Sequence, residues 1–128
     1  MKIVGTGVDL VEVARIAASI ERFGERFLKR VFTDNEIRYC QSKHNFAERF
    51  AARFAAKEAA LKAIGTGWRG GVAWREVEVR REPGGRPTIA FAGRAGEYAA
   101  RLGMRTASLS LSHTAEHAIA QVILEGND

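Results

Sequence analysis

The chain has few cysteine, proline and aromatic residues, and it has no long apolar run. Cys40 is the single cysteine among 128 residues, which excludes an internal disulfide and a cysteine-based zinc site and fits a reducing cytosol. Aromatic residues make up 9% of the sequence and do not alternate with basic ones, as a base-stacking surface would require. No apolar segment approaches the roughly 20 residues of a membrane helix, and no charged-then-apolar leader is evident. We therefore expect a cytoplasmic protein that binds neither membrane nor nucleic acid.

Positive charge is in excess. Twenty Lys and Arg residues against fifteen Asp and Glu give a net charge of +5, which attracts polyanions such as nucleotide cofactors or an acidic protein. The length and the 46% hydrophobic fraction predict one folded domain over residues 1–128. Arg15, Arg22 and Arg26, here called the basic strip, are seven and four residues apart, so a continuous helix would align them on one face. With two glutamates nearby, the strip is either a docking surface or an ordinary solvated face.

The segment from Arg53 to Gly67 predicts an alanine-rich helix that ends in a glycine loop. Arg53 and Lys57 are four residues apart, as are Glu58 and Lys62, so each pair lies on adjoining turns of one side. The carboxylate suits Mg²⁺ and the cations suit phosphate oxygens, a combination that indicates a metal-bound polyphosphate. A solvated helix explains the same residues, because Glu58 to Lys62 is the favourable i,i+4 order, worth about 0.2–0.5 kcal/mol.

A second carboxylate, Asp9, follows a short β-branched strand near the start of the chain. Gly5 and Gly7 in that strand allow backbone or a ligand to approach closely. Asp9 is explained equally well as the N-cap of the next helix. One carboxylate from a strand end and one from a helix, here Glu58, form the sparse oxygen set that Mg²⁺ tolerates, since positions stay open for water and phosphate.

Helix and strand patterns are mixed along the chain, and hairpins dominate its second half. This order predicts an α+β fold with a largely antiparallel sheet packed against the long central helix. Thr33 with Glu36 forms a capping-box pattern for one helix. The last strand is apolar on both faces, so a second subunit or a helix layer should cover one of them. The predicted elements, with approximate bounds, are strands over 2–8, 74–80, 87–91, 105–112 and 118–124 and helices over 11–23, 33–42, 45–64 and 93–102.

Four segments occur in the order and spacing of one known family. They are Gly7–Glu12, Arg53–Ala59 with Lys62 and Gly65–Gly67, Gly85–Pro87, and Ser110–Thr114. Over essentially its whole length the chain resembles the holo-[acyl-carrier-protein] synthases, which are small 4′-phosphopantetheinyl transferases. Where the family usually has lysine, this chain has Arg86, which keeps the charge but changes the geometry of hydrogen bonding.

The resemblance implies a Mg²⁺-dependent enzyme that moves 4′-phosphopantetheine from coenzyme A to a serine of an acidic acyl carrier protein. Adenosine 3′,5′-bisphosphate would be released, in support of fatty acid biosynthesis, by a homotrimer with active sites at subunit boundaries. Asp9 and Glu58 would hold the metal, Glu58 and Lys62 would be catalytic, and the basic strip would bind the carrier. The proton acceptor for the serine would be Glu58 or a metal-associated water. The residues expected to bind coenzyme A are Arg53, Lys57, Gly65, Thr66, Gly67, Arg86, Pro87, His113 and Thr114.

Two other classes of function stay open on the sequence. A metal-dependent nucleotide phosphohydrolase would use Asp9, Glu58 and the same lysines, but with water as the nucleophile. A noncatalytic module would bind an acidic protein through the basic strip.

Overall fold

A computed structural model of the chain describes residues 1–66 and 70–128. Over these residues helices and antiparallel strands are mixed, which confirms the predicted α+β class. The elements are β1 (Lys2–Glu12), α1 (Val13–Phe23), α2 (Glu25–Val31), α3 (Asp34–Gln41), α4 (Phe46–Ala63), a 3₁₀ turn (Trp74–Glu76), β2 (Val77–Arg81), β3 (Pro87–Phe91), α5 (Gly93–Arg101), β4 (Met104–His113) and β5 (His117–Gly126).

The main sheet has the strand order β1-β5-β4, with β5 antiparallel to both neighbours. Helix α4 packs across one face of this sheet. A Cβ added at Gly7 would overlap the carbonyl oxygen of Ala59 and lie 2.9 Å from the Ala63 nitrogen, and one at Gly5 would overlap the Ala63 carbonyl. The two glycines therefore admit the backbone of α4, rather than a ligand, against β1.

Helix α4 is surrounded by protein on most sides, as its alanine-rich sequence requires. Its alanines at positions 51, 52, 55, 56, 59 and 60 are fully buried. A helix whose side chains are small and apolar on nearly all sides can pack closely against several neighbours at once. The charged residues of α4 therefore lie in different surroundings, some buried in the core and some at the surface.

A second sheet pairs β2 with β3, with Val79 opposite Ile89. A turn over residues 82–85 joins the two strands, and in it the Gly85 amide donates to the Glu82 carbonyl at 2.8 Å. Residues 74–76, predicted as the start of the strand, form a 3₁₀ turn instead.

The capping box that begins α3 is confirmed. Thr33 Oγ1 accepts a hydrogen bond from the Glu36 amide at 3.3 Å, and Glu36 Oε1 accepts one from the Thr33 amide at 2.8 Å. Asn45 precedes α4 as predicted but makes no side-chain cap. Its Oδ1 instead accepts from Arg49 Nε at 3.3 Å.

Two expectations near the start of the chain are wrong. Strand β1 continues through Glu12, because these residues pair with β5, so Asp9 lies within a strand and is not a helix N-cap. The helix predicted over residues 11–23 begins instead at Val13; its end at Phe23 is as predicted and is followed by Gly24, whose φ of 55° favours glycine. A separate helix, α2, follows, so the three arginines of the basic strip do not share one continuous helix.

The face of the main sheet that points away from α4 is apolar and exposed. Gly7 and Asp9 point toward α4, so Val8 and Leu10, which alternate with them, point to the opposite face. Val8 is 53% exposed, Leu10 is 65% exposed, and Ile119, opposite Leu10 in the register, is 44% exposed. Among the described residues, no helix combines the length and the apolar character needed to span a bilayer.

Candidate active site

Asp9 and Lys62 form an ion pair where β1 crosses the last turn of α4. Lys62 Nζ donates to Asp9 Oδ1 at 3.0 Å and to the Val8 carbonyl at 3.0 Å. The Asp9 side chain is 16% exposed and that of Lys62 is 52% exposed. A mostly buried carboxylate thus lies beside a lysine that can reach solvent, which suits a polyanionic ligand arriving from outside.

Glu58 lies one turn before Lys62 on α4 and is half-buried. Burial raises the pKa of the Glu58 carboxyl, and the negative charge of Asp9 raises it further, while Lys62 and Arg15 oppose the shift. The structure therefore brings together Asp9, Glu58 and Lys62, as the sequence predicted, and it adds Arg15. Lys62 makes its ion pair across to Asp9 and, in the part of the chain described, none with Glu58, which disfavours a simple helix-stabilising pair.

The two carboxylates fit a magnesium ion. The negative charge of Asp9 raises the pKa of the Glu58 carboxyl, and a divalent cation between the two carboxylates would remove that repulsion. Within residues 1–66 and 70–128 there is no group of three or more His, Cys, Asp or Glu side chains that could hold a metal. Mg²⁺ commonly takes one or two protein carboxylates and completes its six positions with water and substrate phosphate. Asp9 and Glu58 are therefore the residues that could hold it.

A pocket of about 340 Å³ opens beside Lys62 and is lined also by Thr6, Gly7, Val8 and Gln121. The predicted glycine loop begins at this end of α4. Gly65, exposed and with φ of 81°, donates its amide to the Lys62 carbonyl at 3.0 Å. Thr66 follows and is half-buried, and Gly67 lies outside the described residues.

Arg53 lines a second pocket, on another side of α4. Its side chain is 3% exposed, its guanidinium lies 4.2 Å from the centre of the Tyr39 ring, and its Nε has no hydrogen-bond partner among the described residues. Arg81 lies over the same ring at 5.2 Å. The pocket, here called the Arg53 pocket, has a volume of about 310 Å³. It is lined by Asn35, Glu36, Tyr39, Arg53, Val79, Arg80 and Arg81.

A buried arginine with an unused donor is costly unless an acceptor completes it. The Arg53 pocket is therefore suited to an anion. Arg53 was predicted from the sequence as a ligand of the coenzyme phosphates, whereas Tyr39, Arg80 and Arg81 were not. The adjacent arginines before the 82–85 turn were a signal, although nothing local to them indicates that they approach α4.

Lys57, which was predicted to bind coenzyme A, lies in the core of the protein. Its side chain has no exposure, and its Nζ lies 2.8 Å from Glu36 Oε1. It also donates to the carbonyls of Trp74, at 3.2 Å, and Val77. Burial lowers the pKa of Lys57, and the Glu36 carboxylate opposes the shift. This placement gives no support to direct contact between Lys57 and a coenzyme.

His113 and Thr114 lie where β4 turns into β5. His113 Nδ1 is 3.1 Å from Glu48 Oε1, and the imidazole is 18% exposed. This contact leaves the other ring nitrogen, Nε2, as the one available to a ligand. Thr114 Oγ1 accepts from the His117 amide at 3.1 Å, so this hydroxyl also shapes the turn.

Arg86 and Pro87 lie at the hairpin between β2 and β3. Arg86 is exposed, and its carbonyl accepts from the Glu82 amide at 2.9 Å. Pro87 opens β3, where its fixed φ suits the first residue of a strand. The hairpin thus presents the Arg86 side chain to solvent next to β2, the strand that carries Arg80 and Arg81.

The basic strip is exposed but is divided by Gly24. Arg15 and Arg22 lie on α1, and Arg26 lies on α2. Arg26 lines a surface pocket of about 400 Å³ with Phe23, Phe27 and Arg30. Phe23, which is 49% exposed, and Arg30 were not among the residues predicted to bind the carrier.

Comparison with known proteins gives a consistent result. Residues 5–122 match the family model of the 4′-phosphopantetheinyl transferase superfamily. A holo-[acyl-carrier-protein] synthase of Koribacter versatilis is 68% identical over 123 residues, covering 96% of this chain and 98% of the relative.

Solved structures agree with the sequence match. The crystal structure of holo-[acyl-carrier-protein] synthase from Neisseria meningitidis has a TM-score of 0.87 at 32% identity, covering 97% of this chain and 99% of that one. The Helicobacter pylori synthase in complex with coenzyme A has a TM-score of 0.82 at 31% identity, covering 94% and 99%. The resemblance seen in the sequence is confirmed, and the chain belongs to the 4′-phosphopantetheinyl transferase superfamily.

Proposed function

We propose that this chain is a holo-[acyl-carrier-protein] synthase that transfers 4′-phosphopantetheine from coenzyme A to a serine of an apo-acyl carrier protein. The observation that carries the proposal is the cluster of Asp9, Glu58 and Lys62, in which two carboxylates and a half-exposed lysine meet. The names of the relatives and the coenzyme A bound to the Helicobacter pylori structure support the same reaction.

In the proposed reaction, the serine oxygen of the carrier forms a bond to the β-phosphorus of coenzyme A. The bond from that phosphorus to the bridging oxygen breaks, and adenosine 3′,5′-bisphosphate leaves with the bond electrons. Mg²⁺, held by Asp9 and Glu58, would supply positive charge to the pyrophosphate. Lys62, which can exchange the Val8 carbonyl for a phosphate oxygen, would stabilise the transferring phosphate. The serine proton would pass to Glu58, whose raised pKa favours acceptance, or to water.

The coenzyme phosphates would be bound by Arg53, whose buried Nε lacks a partner among the described residues. The exposed Arg86 would be a further donor for them, and so would His113 Nε2 when the imidazole carries a proton on both nitrogens, since Nδ1 contacts Glu48. The resemblance implies that Gly65 and Gly67 also line the phosphate site, although the Gly65 amide itself donates to the Lys62 carbonyl. The roles of Thr66, Pro87 and Thr114 are those expected from the resemblance, namely lining the coenzyme site.

The Arg53 pocket and the cluster of Asp9, Glu58 and Lys62 face different sides of α4. Arg53 and Glu58 are five residues apart, so their side chains point about 140° apart around the helix. One coenzyme molecule cannot easily contact both regions of a single chain. A site shared between two protomers removes this difficulty, and it matches the exposed apolar face of the main sheet. We therefore propose a homotrimer with active sites between subunits.

Assembly is the first prediction. Sedimentation at assay concentrations should give three times the chain mass of 14.1 kDa. Replacing Leu10, 65% exposed, with Asp should shift the protein toward monomer and reduce transfer in parallel, because a charge would enter the apolar interface. Lys2→Asp, an exposed change on the same strand, is the control. A fully active monomer of the unchanged chain would refute both the trimer and the shared site.

Carrier docking is the second prediction. Reversing Arg22 and Arg26 to Glu should raise KM for the carrier roughly tenfold, with little change in KM for coenzyme A, since an acidic partner would meet repulsion while Arg15, whose charge acts on Glu58, is left in place. The salt dependence of carrier use should also flatten. The control reverses Arg101 and Arg105, which changes net charge equally but lies on α5 and β4. If carrier kinetics follow the control, the basic strip is a solvated face and docking occurs elsewhere.

The function itself is tested by incubating the protein with coenzyme A, Mg²⁺ and an apo-acyl carrier protein. A gain in carrier mass of one phosphopantetheine supports the transfer. Breakdown of coenzyme A without that gain would instead identify a phosphohydrolase. Neither change, with carrier binding retained, would identify a noncatalytic binder.

A further inference from the structure

Lys57 and Glu36 form a buried ion pair at the wall of the Arg53 pocket. Lys57 Nζ is 2.8 Å from Glu36 Oε1, and neither side chain has any solvent exposure. The ammonium also donates to the Trp74 carbonyl at 3.2 Å and to the Val77 carbonyl. Its three hydrogens are thus matched by three acceptors, and none is left for a ligand.

The Glu36 carboxylate is equally well satisfied. Glu36 Oε2 accepts from the Val79 amide at 2.7 Å, and Oε1 accepts from the Thr33 amide at 2.8 Å. The pair therefore ties together three segments that are distant in sequence. These are the start of α3, the middle of α4 and the strand β2 with the turn before it.

The same three segments form the Arg53 pocket. Tyr39 comes from α3, Arg53 lies one turn before Lys57 on α4, and Arg80 and Arg81 directly follow Val79 in β2. Any movement of β2 relative to α4 would change the separation of the arginines.

The arginines in this pocket tend to move apart unless the segments are held together. Arg80 is paired with Glu78 at 2.6 Å. In the part of the chain described, Arg53 and Arg81 have no carboxylate partner, although both lie over the ring of Tyr39. Two cations that share one aromatic ring repel each other, and their separation has to be imposed by the surrounding structure.

Stability alone does not require an ion pair at this position. Apolar or neutral pairs of similar size are often as stable as a buried ion pair, because the desolvation cost of two charges is then removed. What the charged pair adds is a single fixed arrangement, through its hydrogen bonds to four backbone groups. Preorganisation of this kind strengthens ligand binding by lowering the cost of ordering the site.

We propose that Lys57 and Glu36 are a positioning pair that holds the Arg53 pocket in the shape that binds a phosphate of coenzyme A. The proposal rests on the proposed function, because it takes that phosphate as the occupant of the pocket. Lys57 does not line the pocket, and the Glu36 carboxylate at its wall is occupied by Lys57 and two backbone amides; both residues act through Arg53, Tyr39 and Arg81.

The test replaces the pair by a neutral one, Lys57→Met with Glu36→Gln, which keeps similar volume and an amide oxygen for the Val79 amide. In the folded double variant, Kd for coenzyme A measured by calorimetry should rise at least about tenfold. In turnover, KM for coenzyme A should rise similarly, while kcat at saturating coenzyme A should stay within about threefold. A purely structural role would lower the folded fraction, and hence kcat, without changing KM.

Ala99→Gly is the matched control, because it weakens a buried position of α5 away from the pocket. Its Kd for coenzyme A should equal that of the unchanged chain. Unchanged affinity in the double variant, or an equal loss in the control, would overturn the proposal. If the double variant does not fold, Glu36→Gln alone is used.

Hydrogen exchange of the unchanged protein provides a test that needs no variant. Coenzyme A should slow exchange of the Val79 amide, which donates to Glu36. An unaffected Val79 amide would contradict the proposal. A protein that binds coenzyme A in this way but transfers nothing to the carrier would overturn the proposed function and leave the positioning pair standing. Normal transfer by the unchanged protein, together with unchanged affinity in the double variant, would overturn the positioning pair and leave the proposed function standing.

Discussion

Replacing Glu58 with glutamine is expected to lower the rate of phosphopantetheine transfer by at least about 100-fold while leaving the fold intact. Glutamine is nearly the same size, and the side chain is only half-buried, so packing should change little. The amide carries no charge and is a weaker ligand for a hard cation such as Mg²⁺. It also cannot accept the serine proton. Asp9→Asn should have a similar effect, because it removes the second carboxylate and the ion pair with Lys62.

Metal binding can be measured separately from turnover. Mn²⁺, titrated in place of Mg²⁺ and followed by electron paramagnetic resonance, should bind the unchanged protein more tightly than either variant. Glu21→Gln, an exposed change on α1, is the control and should retain both binding and rate. A Glu58→Gln protein with nearly normal activity and unchanged dependence on Mg²⁺ would show that this carboxylate is not a ligand.

Local signals explain why some elements could be predicted closely. Helix α4 was predicted over residues 45–64 and observed over Phe46–Ala63, because an alanine-rich segment ends at a glycine whose φ is positive. The start of α3 depends only on Thr33 and Glu36, which are three residues apart. In both cases, the groups that fix the boundary are close in sequence.

The extent of β1 could not be read in the same way. Residues 9–12 fit either a helix start or a strand, and pairing with β5, near the other end of the chain, decides for the strand. The end of the next helix at Phe23 could be predicted, because a glycine follows it and takes a positive φ, but the separate helix α2 over Glu25–Val31 was not predicted.

The candidate site shows the same division between local and distant information. Spacing placed Arg53 with Lys57 on one side of α4, and Glu58 with Lys62 on another. It could not indicate that the first side faces α3 and β2, where Lys57 meets Glu36 in the core. The sequence alone does not distinguish a lysine or arginine that binds phosphate from one that pairs with a buried carboxylate. Only the tertiary partners distinguish the two roles.

Gly7→Ala is expected to destabilise the protein by about 3 kcal/mol and to reduce transfer strongly. The added Cβ would overlap the Ala59 carbonyl and lie 2.9 Å from the Ala63 nitrogen, both of which are backbone atoms of α4 that cannot rotate away. Strand and helix would have to separate. Asp9 lies two residues further along β1, so the separation would move its carboxylate away from Lys62.

Chemical denaturation and the transfer assay measure these two effects, and Gly96→Ala is the matched control. In the control, the new Cβ lies 3.4 Å from the Phe91 carbonyl oxygen, and a glycine inside α5 is replaced by a better helix former. Its stability should therefore stay equal or rise by up to about 1 kcal/mol. If Gly7→Ala were as stable and active as this control, β1 and α4 could not be in the close contact that brings the Asp9 carboxylate to Lys62. Another contact would then have to hold Asp9 beside Lys62.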